Sequence, residues 1–233
     1  MERGRVRVSP VVPNARQFDS SDDQRAFSGL YVTRRPNVST FIDHYLLNLN
    51  DTRAATRGDT TTFGARFAGD VKKRLLYDFE AAAQTGDTGG RTISAQAAVV
   101  RLWWHFADLP GNVSFWTYCD YATGTQDPSS RGVDRTFNQL FGGNHSYFGY
   151  LDLVGRQNIR DLYFQIESNP QPWVQLRMQY YMFHLAATRH ALYNLSGTPI
   201  RRDPTGAAGN DVGNEIDFLV NFHLSPQQDV LLG

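Results

Sequence analysis

Cysteine, lysine and unbroken apolar runs are the scarce features of this chain, and each scarcity removes a class of protein. Cys119 stands alone, which excludes a disulfide framework and a cysteine metal cluster. The histidines, His44, His105, His145, His184, His190 and His223, show no metal-like spacing on one face, so no metal and no cofactor is expected. No run of about 18 apolar residues exists, and no transmembrane helix can be drawn. Met1 opens ERGRVRVSP, which lacks the apolar core of a secretory signal. Of 23 basic residues only Lys72 and Lys73 are lysine; the rest are arginine, whose planar guanidinium pairs bidentately with carboxylate or phosphate. Acids equal bases in number, so net charge names no partner, and no nucleic acid is expected. The hydrophobic content of 41% is that of a folding unit, not of a disordered tail.

What the chain has in abundance is a period of two. In LYDFEAAAQTG, Asp78, Glu80 and Gln84 fall at even positions and Tyr77, Phe79, Ala81 and Ala83 at odd ones. A pleated strand there has one polar and one apolar face. TISAQAAVVRLWWHF and NVSFWTYCDYATG follow, so Leu75 to Gly124 reads as three long strands, with the tight turn Asp108 to Asn112 between the second and third. The same alternation marks Phe27–Arg34, Val38–Asn50, Thr60–Gly69, Arg156–Ser168, Trp173–Ala186 and Val212–Leu224. Val38–Asn50 is the least regular, because Asp43 shares its parity with Phe41, Tyr45, Leu47 and Leu49 and its face stays open. Arg5–Val8 reads as the tail of one more strand, and the residues after SPQQ as the start of another.

The connections are read as alternating in length. Ser9–Ala26, Asp51–Asp59, TGDTGGR, Thr123–Gly155 and Ala187–Asp211 are the loops, and the turns at Arg35-Pro36-Asn37, Asp70–Lys73, DLPGN, NPQP and SPQQ are the short links. An up-and-down barrel in an outer membrane has this arrangement, with short turns at one rim and longer loops at the other. Several segments run about 11 to 15 residues, where roughly 9 to 11 cross a bilayer. The expected fold is therefore all-β, an antiparallel up-and-down transmembrane β-barrel of about nine whole strands plus two partial ones. Residues 1–233 form a single domain, expected to be partial at both ends, with an exporting signal and further strands upstream. Trp103, Trp104, Trp116, Tyr121 and Trp173 fall near strand ends, where interface aromatics sit. The Asn-x-Ser/Thr triplets at Asn37, Asn50, Asn112, Asn144 and Asn194 match too easily by chance to indicate glycosylation.

Ordered motifs add a family. The sequence has Tyr118-Cys119-Asp120-Tyr121-Ala122, then Phe137-Asn138-Gln139-Leu140-Phe141 and His145-Ser146-Tyr147-Phe148-Gly149-Tyr150. It continues with Asp152-Leu153, Asn158-Ile159, Thr188-Arg189, Arg201-Arg202-Asp203-Pro204-Thr205-Gly206 and Val212-Gly213-Asn214-Glu215. In that order they resemble the alginate export domain family of outer-membrane porins. The loop reads FGGNHSYFGY where the family tends to have Pro-Thr before its His, and Cys119 stands at a usually small or aromatic position. The resemblance implies a bacterial outer-membrane channel, not an enzyme, that passes an anionic uronate polysaccharide such as alginate, or related anionic solutes, through a lumen containing arginine. Its partners would be outer-membrane lipid, the polysaccharide and periplasmic export machinery.

If the apolar parity faces lipid, then Arg66, Arg74, Asp78, Glu80, Arg101, Asp120, Asp161, Glu167, Arg177, Glu215 and Asp217 face the lumen, since arginine on the lipid face near midplane costs roughly 2–4 kcal/mol. Tyr77, Phe79, Leu102 and Trp104 become lipid contacts. Arg189, Arg201, Arg202 and Asp203, on loops, complete the candidate pore-lining and substrate-binding set. One reading makes the guanidiniums a track that exchanges contacts with passing carboxylates. The plainer one has the charges pair across strands and wet a lumen. An alternative class, a soluble or surface β-sheet enzyme on acidic polysaccharide, would use Asp78 with Glu80 or Glu215 with Asp217, given carboxyl groups about 5 to 9.5 Å apart.

Overall fold

The computed structural model describes residues 24–53, 57–127, 132–142 and 147–233. The stub expected at Arg5–Val8 lies outside them. Nine long strands form: β1 (Arg25–Asn37), β2 (Thr40–Asp51), β3 (Gly58–Val71), β4 (Leu75–Thr88), β5 (Arg91–Phe106), β6 (Val113–Ala122), β8 (Ile159–Gln171), β9 (Val174–Leu185) and β12 (Asp211–Ser225). Four short ones complete the set: β7 (Val133–Asp134), β10 (Leu192–Tyr193), β11 (Pro199–Arg201) and β13 (Gln228–Leu232). The long strands and β13 pair antiparallel in sequence order in one sheet, with β7 alongside β5, and β10 and β11 make a separate hairpin. This is the all-β, up-and-down order of a β-barrel wall, with β1 and β13 at its two edges. Among the described residues no helix is long and apolar enough to cross a membrane.

Each expected whole strand is present, and most extend beyond the expected bounds. The expected loop TGDTGGR is not a loop. β4 and β5 continue through it to Thr88 and Arg91 and are joined by Gly89 and Gly90 alone, with φ of 55° and 77°. Two successive positive φ values give the turn whose twist matches the strands it joins, and glycine adopts them without a Cβ clash. Strict alternation of short and long connections therefore fails at this link. NPQP also differs: β8 runs to Gln171 and the turn is Pro172-Trp173. The ladder skips Pro170, with Ser168 opposite Leu176 and Gln171 opposite Val174. Proline has no N–H to give it.

One face of the sheet is covered by the long loops and is called inner. On β5 the alternation is complete: Ile93, Ala95, Ala97 and Val99 are buried, while Ala98, Val100, Leu102 and Trp104 are exposed on the outer face. Outer rows run across many strands in register. One is Trp104, Phe115, Ile166, Met178 and Phe218; another is Phe67, Phe79, Val100, Cys119 and Leu162. Most of these apolar side chains are exposed. The inner core gathers Ile93, Ala95, Ala97, Ala122, Ile159 and Phe183 with Phe137, Phe148 and Val154, which come from the segment between β6 and β8. That segment lies back over the sheet.

Candidate functional site

The inner rows hold the charges. One runs Asp43, Arg66, Glu80, Val99, Asp120 and Asp161; the next runs Ala68, Asp78, Arg101, Tyr118, Tyr163, Tyr181 and Glu215. The period of two alone places these residues on one face, and antiparallel register brings them side by side. Asp43, whose face the sequence left open, is inner and buried, accepting a hydrogen bond from Thr33 Oγ1 at 2.7 Å.

At the centre, Asp78 takes two guanidiniums. Arg66 donates through Nε at 2.8 Å and Nη2 at 2.9 Å, a bidentate fork, and Arg101 Nη1 lies 3.0 Å away. Arg66 Nη1 is also 3.8 Å from Asp43. The Arg66 guanidinium lies over the ring of Phe41 and that of Arg101 over Tyr147. Glu80 accepts from the Tyr45 hydroxyl at 2.8 Å, across a strand between them. Gly64 of β3 makes this reach possible, since a Cβ there would sit 1.9 Å from Tyr45 Cζ.

The loop after β6 is tied to the same face. Arg156 Nη2 is 2.6 Å from buried Asp120, which lies opposite Asp161 in register. Leu151 N donates to Glu215 at 3.0 Å and Tyr150 N to Asp217 at 3.4 Å. Gln84 and Asn138 exchange two hydrogen bonds, of 2.7 and 2.8 Å, between sheet and loop. Asn158, fully buried, accepts from Ala187 N and donates to the carbonyls of Ala187 and Ala191, so it joins this loop to the one after β9. Farther round, Tyr118 stacks on Tyr163 with centroids 4.2 Å apart, Tyr181 lies tilted against Tyr163 at 4.6 Å, and Arg177 Nε meets Glu167 at 3.3 Å.

The structure thus brings Arg66, Asp78, Glu80, Arg101, Asp120, Asp161, Glu167, Arg177, Glu215 and Asp217 onto one face. It separates the others. Arg74 sits in the β3–β4 turn, 3.8 Å from Asp108. Arg189, Arg201 and Arg202 are exposed in the region between β9 and β12. Asp203 closes the RRDPTG turn, accepting from Thr205 N, Thr205 Oγ1 and Ala208 N at 2.9, 2.6 and 2.7 Å. Those bonds, Thr205's hydroxyl first, lower its pKa to about 2. In the same region burial holds the His190 imidazole below its usual pKa and pushes the Tyr193 phenol up to about 12. Sequence reasoning missed Tyr45, Gln84, Arg156 and Asn158. Gln84 was placed on the polar face and Asn158 within a motif, but parity carries no signal for which loop returns to meet a strand.

The carboxylate pairs of the enzyme alternative are engaged in this scaffold: Asp78 by two arginines, Glu80 by Tyr45, Glu215 and Asp217 by loop N–H groups. No curated protein matches the chain. The family described as alginate export does match it, over residues 5–233. That family is a family of outer-membrane porins, transporters and not an enzyme class. With its motifs, its sheet order and nearly its whole length in agreement, the chain belongs to the alginate export family.

Proposed function

We propose that the chain forms the wall of a bacterial outer-membrane channel that passes an anionic polysaccharide such as alginate, or related anionic solutes. The observation that carries this reading is the division of the sheet: exposed apolar rows outside and paired charges inside, in a member of the alginate export family. Outer-membrane lipid covers the outer rows, and periplasmic export machinery delivers the polymer. Arg66 and Arg101 are the groups that meet a passing carboxylate. Both already share Asp78, so an incoming uronate trades one carboxylate contact for another. Exchange of that kind lets a charged polymer bind without being trapped. Aspartates and glutamates outnumber arginines on the inner sheet face, which keeps each stop weak.

Single-channel conductance in planar bilayers tests the reading. Oligouronate should reduce the current in a concentration-dependent manner, and Arg66→Gln with Arg101→Gln should relieve that block. A channel indifferent to uronate would remove the polysaccharide from the proposal, and a chain that never inserts would remove the channel.

A further inference from the structure

A cavity of about 620 Å³ opens at the long-loop rim, between the ends of β3, β4 and β5 and the β10–β11 hairpin. It is separate from the Arg66–Asp78–Arg101 cluster, none of whose members lines it. We propose that this cavity binds an uncharged, hydroxyl-rich sugar unit, holding it through hydroxyls and amides and not through a carboxylate. The position of the site on a polymer's path rests on the channel reading; its chemistry does not.

The lining eliminates the other ligand classes. Arg25 and Arg53 both pair with Asp51, at 3.4 and 2.5 Å, and Asp134 lies 3.7 Å from Arg91. Asp134 also accepts from Thr125 Oγ1 at 2.9 Å. These charges balance within the lining, two arginines against two aspartates, so the cavity offers no net charge to draw in an ion of either sign. An apolar ligand would strip water from Thr60, Thr88, Gln157 and Thr198 with nothing in return. A polyol offers each of these groups both a donor and an acceptor. The volume lies within the roughly 300–1,000 Å³ range of small-molecule sites. Tyr193 adds a flat ring to the wall.

Calorimetry on the full chain in detergent micelles tests this with mannotriose as the neutral probe and a uronate trimer as the charged one. Mannotriose should bind, with affinity unchanged between about 0.05 and 0.5 M salt, because no ion pair is formed to be screened. Thr60→Val with Thr88→Val keeps β-branched side chains of the same shape and removes two hydroxyls, and should weaken binding about tenfold. Thr198→Trp, at an exposed position of the hairpin, should fill the mouth and abolish it. Binding of the uronate alone with steep salt dependence, no binding of mannotriose, or binding untouched by these variants would each overturn the proposal. Failure of the channel reading is distinct: it shows as loss of uronate block in bilayers while mannotriose still binds in micelles.

Discussion

Both faces of β5 carry a run of apolar side chains, the inner one in the loop-side half and the outer one in the turn-side half, yet the two runs have opposite surroundings. Ile93, Ala95, Ala97 and Val99 lie under the loop that follows β6, whereas Ala98, Val100 and Leu102 lie bare on the outer face. The difference is not in hydrophobicity. It lies in what covers each face: Phe137, Phe148 and Val154 for the inner one, and on the proposed channel reading lipid for the outer. Size follows the same division. Under the returning loop the inner side chains Ala95, Ala97 and Ala122 are small and leave it room, while the outer face carries Trp104, Phe79 and Ile166.

Removing the inner cover should have the largest effect. Phe148→Ala takes an aromatic ring from the buried cluster and should cost about 3–5 kcal/mol of local stability. Hydrogen exchange of residues 147–158 would show it as lost protection, with the outer face unchanged; equal protection would mean the loop is not held by this contact. Next is Val100→Arg on the outer face. Near the middle of a bilayer it should cost roughly 2–4 kcal/mol in urea titrations of vesicle-inserted protein. At a position facing water the change would stay within about 0.5 kcal/mol, which would break the lipid assignment.

Asp78→Asn sharpens the charge side of the comparison. It leaves Arg66 and Arg101 without their shared anion, with an expected stability cost of about 1–3 kcal/mol. The reversal potential in a salt gradient should shift toward anions. A shift toward cations would contradict the proposed role of the pair.

The smallest effect is a pH dependence confined to the loop between β9 and β12. His190 is buried, and its pKa lies below the usual 6.5. The unfolded segment therefore binds more protons, so loop stability is full above about pH 6.5 and falls as the pH drops through that value toward the lowered folded pKa. Asp203 acts in a lower window. Its pKa of about 2 lies under the ordinary 3.8, so its contribution is full above that value and is lost as the pH falls through about 2. Exchange of residues 187–210 measured from pH 8 to pH 4 should show the histidine step, and His190→Gln should flatten it.

The nine long strands and the face of most of their residues followed from periodicity, because the side-chain period of a strand is two, whereas β7, β10 and β11 lie inside stretches that read as loops. Glu80 and Arg101 could be set on one face with no partner in view. Asp43 could not, since Phe41 and Tyr45 surround it with apolar neighbours of its own parity; its face was settled by Thr33 and Arg66 on adjacent strands. The Gly89-Gly90 turn was present in the sequence but hidden in a polar stretch, where the same residues suit either a loop or two strand ends. The motif Asn158-Ile159 was visible, while the carbonyls of Ala187 and Ala191 that Asn158 binds lie in a different loop.

By itself, then, the sequence determined a sheet of long amphipathic strands in consecutive order and the family to which it belongs. Tertiary structure alone decided that the segment after β6 returns over the inner face, that Arg66 and Arg101 share Asp78, and that a neutral polar cavity lies apart from them. The reason is physical. Alternation is a local property of the backbone pleat, written in each strand separately, whereas loop return and ion pairing join residues far apart in the chain and depend on register and on the room that small side chains leave.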